Sequence, residues 1–218
     1  MLFTSVFLIF RFMKKLLIFP ILALTAMSFN IIEIVPIDLG TEIPMGDHKM
    51  VNAMNDTRVS INESKKNNGV LVIFSCNTCP YVIAQEDRIR DIQRDAQRMQ
   101  IGVIVINSNE DKRGNEDSKD EMRKYGNNQK YLAPYVIDSM SVVADAFGAT
   151  RTPECFLFGR DGKLAYRGSI DDSPKDSKAV KQHYLLDAMT AVSKGNAVTI
   201  GTSVSSGCSI KRKASTAK

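Results

Sequence analysis

A chain of 218 residues, 44% hydrophobic and 24% charged, has ordinary globular composition and length for one domain plus a leader and tails. A sizeable core is therefore within reach without disulfide stapling. The formal charge is +5, but residues 1–28 carry Arg11, Lys14 and Lys15 and no acid; without them it is +2, too small to argue for nucleic acid.

The N-terminus reads as an export signal over residues 1–28, with Met13 as an alternative start. Met13-Lys14-Lys15 is a charged n-region, 16–27 is a mostly apolar h-region, and Ala26-Met27-Ser28 offers a cleavage site. The expectation is an exported, periplasmic protein. The alternative is a membrane anchor over 16–37, since Ile31-Ile32 extends the apolar run. No cysteine lies in the leader, which excludes a lipidated one. Residues 29–44 read as a linker, 45–196 as the domain and 197–218 as a tail.

Along the domain, 50–60 holds a first strand and turn. Residues 69–74 are a continuous apolar run of strand length. From Pro80 to about Gln100, apolar residues recur at helical spacing at Val82, Ile83, Ile89, Ile92, Ala96 and Met99. Residues 101–107 form a second buried strand, so the stretch is a β-α-β unit with a parallel pair. A loop at 108–115 precedes a short helix at 117–125 that stops at Gly126. A short strand at 135–138, a helix at 141–147 and Thr152-Pro153 follow. Residues 154–158 and 163–168 flank a Gly159-Arg160-Asp161-Gly162 hairpin turn. A last helix runs over about 177–194. Lys211-Arg212-Lys213 reads as a solvated tail.

The chemistry-bearing motif is Cys76-Asn77-Thr78-Cys79, set between the strand at 69–74 and the helix opened by Pro80. A helix N-terminus offers unpaired N–H groups and partial positive charge, which favour a thiolate. A thiol placed there falls from about 8.5 to about 7 or lower. A two-residue gap is a poor staple, because closing so small a loop removes little chain entropy. Half a zinc site is the other alternative, but zinc wants four ligands and no second C-x-x-C exists. His48 and His183 read as surface or packing residues. Asp171-Asp172 reads as a turn and helix start before Ser173-Pro174. Cys155, inside an apolar strand, reads as a small buried hydrophobe.

Cys76 to Cys79, Thr152-Pro153 and the hairpin after it resemble the thioredoxin-fold superfamily. Residues 74–88, Ile106-Asn107-Ser108-Asn109, Phe156-Leu157-Phe158, 166–172 and Gly207-Cys208-Ser209-Ile210-Lys211 are similar to the bacterial thioredoxin-like redoxins, which are grouped with alkyl hydroperoxide reductase and thiol-specific antioxidant sequences. The resemblance covers about residues 45–213. It implies an α/β, thioredoxin-like fold, a central mixed sheet with helices on both faces. It implies an exported thiol–disulfide oxidoreductase acting on protein substrates. Cys76, nearer the strand and more exposed, would attack, and Cys79 would resolve. Pro153 would be cis, leaving the Thr152 backbone free to pair with an extended substrate. No cofactor and no metal are implied; electrons would pass to or from a partner protein, and a membrane contact would follow only from an uncleaved leader. Cys208 is a candidate auxiliary thiol. The 207–210 segment is expected to lie ordered against the domain, with Cys208 out of disulfide reach of the pair at rest.

The chain also departs from the family's relatives. Ser75 stands where thioredoxin has Trp, and Asn77-Thr78 where it has Gly-Pro. The peroxiredoxin pattern places Pro seven and Thr three residues before its cysteine. Those positions hold Gly69 and Ile73 before Cys76, and Val72 and Cys76 before Cys79. A thiol peroxidase is thus the weaker alternative, beside a non-catalytic binding module that uses the Pro153 groove.

Overall fold

The computed structural model describes residues 34–214, so the expected leader lies outside the described residues. The strands are β1 (Met50–Asn52), β2 (Arg58–Val59), β3 (Val70–Phe74), β4 (Gly102–Asn107), β5 (Tyr135–Ile137), β6 (Arg151–Thr152), β7 (Glu154–Phe158), β8 (Leu164–Gly168) and β9 (Cys208–Ser209). Seven of them form one sheet in the order β2-β1-β5-β4-β3-β7-β8, and β6 pairs with β9 apart from it. β4 is parallel to β3 and β5; the remaining pairs are antiparallel, so the sheet is mixed.

β3 is the middle of this architecture. All five of its residues are buried, as expected of an unbroken apolar run covered on both faces. Alternation sends Val70, Val72 and Phe74 to one side and Leu71 and Ile73 to the other. The first side packs on α1 (Ile61–Ser64) and α5 (Val142–Phe147) through Ile61, Val143, Ala144 and Phe147. The second packs on α3 (Glu86–Arg98) and α6 (Tyr184–Ser193) through Ile89, Ile92, Leu185 and Met189. Phe74, Phe147 and Phe156 meet edge to face at centroid distances of 5.2–5.7 Å, the favoured geometry for ring quadrupoles.

Several expected elements differ. The helix expected over 80–100 is two helices, α2 (Pro80–Ile83) and α3. The break falls at Gln85, whose side chain donates to the Tyr81 carbonyl at 2.9 Å. α1 was not foreseen, although Ser60 and Glu63 form a capping box that the spacing Ser-x-x-Glu announces. α4 (Lys119–Asn128) runs through Gly126 instead of stopping there. A Cβ at Gly126 would come within 2.5 Å of the Met54 sulfur, so this glycine serves packing, not termination. The last helix begins at Tyr184; 177–179 are a single 3₁₀ turn. The segment expected as a linker is docked: Ile37 N–H donates to the Phe147 carbonyl, Leu164 N–H donates to the Thr41 carbonyl, and Glu42 bridges to Lys163. Among the described residues no helix is long and apolar enough to cross a membrane.

Phe147 lies at the centre of the phenylalanine cluster and is fully buried. Phe147→Ala should lower unfolding free energy by about 3–5 kcal/mol, the range for a buried phenylalanine that leaves a cavity. Chemical denaturation checks this; a loss below about 1 kcal/mol would show that the cluster does not anchor the sheet.

Candidate active site

β3 and β7 are antiparallel with Phe74 opposite Glu154. The chain leaving β3 therefore emerges beside the chain entering β7. The first carries Cys76 and Cys79; the second is Thr152-Pro153, whose peptide bond is cis. Cys76 Sγ lies 3.3 Å from Thr152 Oγ1, and the Cys79 thiol donates to the Thr152 carbonyl at 3.1 Å. Glu154 holds the entering loop by accepting from the Thr150 and Arg151 N–H groups at 2.8 and 3.0 Å.

The expectation that Cys76 is the exposed sulfur at the helix start does not hold. Cys76 is 2% exposed and Cys79 3%. Cys79, not Cys76, is the N-cap of α2, with Pro80 in the first turn where its missing N–H costs nothing. Cys76 sits three residues earlier, in the loop. The thiol of Cys79 is pulled down to about 4, first by the Cys76 thiol that donates to it and further by the thiol and N–H of Cys208 and the N–H of Val82, against the opposing effect of burial. Cys76 is pushed above the ordinary thiol range, because its proton is held in the bond to Cys79 and because it is buried; the Thr152 hydroxyl works the other way. The pair as a whole thus loses its first proton readily and its second with difficulty.

Beneath the motif is a buried polar network that local sequence reasoning missed. The Asp117 carboxylate, fully buried, accepts from Asn77 N–H at 2.9 Å, Asn107 Nδ2 at 2.7 Å and Asn109 Nδ2 at 2.9 Å. Tyr135 OH donates to Asn77 Oδ1 at 2.9 Å and accepts from Asn107 Nδ2 at 3.1 Å. Asn77, the first residue of the central dipeptide, is clamped from both sides. The available signal was Asn107-Ser108-Asn109 at the end of an apolar strand, where polar side chains have no reason to be buried unless they bind something. An open cleft of about 660 Å³ beside the dipeptide is lined by Asn77, Thr78, Glu116, Lys124 and Tyr125.

The segment around Cys208 lies ordered against the domain, beside the cis-proline loop. β9 pairs with β6, and Cys208 is directly opposite Thr152. It packs against the apolar cluster that contains Cys76 and Cys79. All four cysteines are thiols. Ile210 is buried on the α1/α5 side of the sheet. Arg212, expected to be solvated, pairs with Asp145 at 2.7 Å and donates to the Ala149 carbonyl.

Cys155 is fully buried opposite Ile73, and burial pushes its thiol up. Asp171 is a buried partner of Arg88 at 2.6 Å, and Asp172 accepts from Lys181 N–H, so both fasten the turn before α6. His48 lies in the turn before β1 and His183 caps the start of α6. Among the described residues no group of three or more His, Cys, Asp or Glu is arranged to hold a metal ion.

A family model described as Redoxin matches residues 39–183. An uncharacterized conserved protein from Geobacillus kaustophilus is 31% identical, with a TM-score of 0.75 over 82% of this chain and 94% of its own. A hypothetical protein from Sinorhizobium meliloti 1021 is also 31% identical, with a TM-score of 0.75 over 83% and 97%. Peroxidoxin BcpB from Mycobacterium tuberculosis shares the fold at 15% identity, with a TM-score of 0.51 over 72% and 98%. No match is found among curated proteins. The mixed sheet with helices on both faces is a thioredoxin-like fold.

The lowered Cys79 thiol carries a pH signature. Its folded value of about 4 lies below the unfolded value of 9.0, so in between the folded dithiol protein binds fewer protons than the unfolded chain. Stability from this group should be complete above about pH 9, should shrink as pH falls, and should be gone below about pH 4. The raised Cys76 acts in the opposite sense only above about pH 9. Thiolate absorbance should be present at neutral pH in the reduced protein and lost in Cys79→Ser. Absorbance that develops only in the ordinary thiol range would remove the assignment.

Proposed function

The chain belongs to the Redoxin family, and from that premise we propose that it is a thiol–disulfide oxidoreductase acting on protein disulfides through Cys76 and Cys79. The observation that carries this is the meeting of both sulfurs with Thr152, immediately before a cis-proline, at the end of a buried strand. The Thr152 backbone, expected to be free for an extended substrate, is instead paired with β9, so a substrate reaches the sulfurs from beside that strand.

We assign the attack to Cys79, the N-cap residue of α2, and the resolving step to Cys76, the reverse of the order that the resemblance implies. The Cys79 thiolate attacks one sulfur of a substrate disulfide, forming a mixed disulfide and expelling the other sulfur as a thiolate, which takes the proton held by Cys76. The Cys76 sulfur, three residues away, then attacks Cys79, and the second substrate thiolate leaves. Substrate is reduced by two electrons and Cys76–Cys79 becomes the disulfide. A partner protein's dithiol restores the starting state, and the same steps run backwards oxidise a substrate dithiol. Asn77, held by Asp117 and Tyr135, keeps the intervening loop in the conformation that both steps need. Export through the N-terminal leader would place this chemistry where protein disulfides persist.

Reduction of insulin disulfides with dithiothreitol as donor tests the reading. Cys79→Ser should bring turnover to background, and Cys76→Ser combined with Cys208→Ser should accumulate mixed disulfides on Cys79. Undiminished turnover in Cys79→Ser would overturn the nucleophile; undiminished turnover in both variants would overturn the activity.

A further inference from the structure

The redox pair is buried, yet a third thiol that reaches it is partly exposed. We propose that Cys208 is a third redox residue: it takes Cys79 from Cys76 by thiol–disulfide exchange and so carries the disulfide toward the protein surface. The inference rests on the thiol–disulfide reading of Cys76 and Cys79.

Cys208 is placed by construction. β9 occupies the backbone of Thr152, the position that an extended substrate is expected to use, and sets Cys208 opposite it. The residue before it must be glycine. A Cβ at Gly207 would fall 2.2 Å from the Thr152 carbonyl oxygen and 3.3 Å from the Pro153 nitrogen. Only a bare backbone lets the tail lie this close to the cis-proline loop.

The segment is fastened on both sides. Upstream, Ser203 Oγ accepts from Ser169 N–H at 2.9 Å and lies 2.7 Å from Tyr166 OH. Downstream, Ile210 N–H donates to the Thr150 carbonyl, Lys211 N–H to Asn109 Oδ1 at 2.8 Å, and Arg212 pairs with Asp145. Chain ends fray unless tied down, and ordering each residue costs about 1–2 kcal/mol of backbone entropy. A strap of this length is held against that cost, and it sets Cys208 opposite Thr152, whose carbonyl accepts from Cys79. A purely structural strap needs Gly207 and Ile210; it does not need a thiol at 208.

The exchange is balanced without an added oxidant. The Cys208 thiolate attacks Cys79 Sγ in the Cys76–Cys79 disulfide. The Cys79–Cys208 bond forms, the Cys76–Cys79 bond breaks, and its electron pair leaves on Cys76, which ends with the proton that Cys208 gave up. An external dithiol then attacks Cys208, the accessible sulfur, and expels Cys79 as a thiolate; its second thiol displaces Cys208 and leaves as the external disulfide, and access is one determinant of the rate of this exchange.

The test uses the full chain. Cys76→Ser, treated with diamide as the two-electron oxidant, should form an intramolecular Cys79–Cys208 disulfide, read by peptide mapping of the alkylated monomer. Cys79 and Cys208 both alkylated, or linked only between molecules, would overturn the proposal. Adding Gly207→Ala should suppress that bridge, because the new Cβ collides with Thr152; an undiminished bridge would overturn the placement. If Cys76→Ser does not fold, wild-type protein oxidised by two electrons and alkylated gives the same answer. Label divided between Cys76 and Cys208 supports exchange, and label on Cys208 alone overturns it. Reduction of the oxidised protein by dithiothreitol should slow by about an order of magnitude in Cys208→Ser, and an unchanged rate would count against the relay. Loss of insulin turnover in wild type with the bridge intact would sink the activity and leave the exchange standing. Turnover without the bridge would do the reverse.

Discussion

The antiparallel register of β3 on β7 is the constraint on which the rest of the molecule depends. With Phe74 opposite Glu154, the C-x-x-C loop and the cis-proline loop must leave the sheet at the same end and side by side. A shift of one residue would turn every side chain of β3 to the wrong face and move Cys76 away from Thr152. The register is held by burial. Phe74, Phe147, Phe156 and Phe158 close one face, and Leu71, Ile73, Leu157 and their helical partners close the other. Nonspecific apolar packing thereby sets a sulfur-to-hydroxyl distance at the edge of the sheet.

A second layer of specificity comes from one carboxylate. Asp117 gathers donors from the motif loop, from the end of β4 and from the segment after it, and Asn109 extends the set to the tail through Lys211. The N–H of Asn77 is thus one hydrogen bond, and the backbone of the C-terminal strap two, from the same buried group. Inside a low-dielectric interior such a network is rigid when every member is satisfied, and costly when one is lost. The motif loop and the strap share their positions for this reason.

Charge at the site follows from donors, not from solvent. Both paired sulfurs are almost fully buried, which alone would keep them neutral. Cys79 escapes that outcome because another thiol and backbone N–H groups point at it, while Cys76 surrenders its acidity to the same contact. The two sulfurs thus titrate together, the first proton leaving the pair more readily than the second.

Periodicity and spacing by themselves determined the β-α-β unit, the thiol pair at its strand-to-helix junction and the Thr152-Pro153 entry to a hairpin, whereas the order of the terminal segment was expected only beside the family resemblance. These are local properties: an apolar run, a 3.6-residue repeat and a turn tetrapeptide each announce themselves within a few residues. The capping box at Ser60 was legible in the same way and was missed. The tertiary structure alone decided which sulfur sits at the helix start, because the first turn opens at Pro80 and Gln85 interrupts what reads as one helix. It alone buried Asp117 beneath Asn77, forty residues away, and laid Cys208 across Thr152. Those relations join segments far apart in sequence, and no local pattern encodes a distance between them; only the closed sheet and its packed faces do.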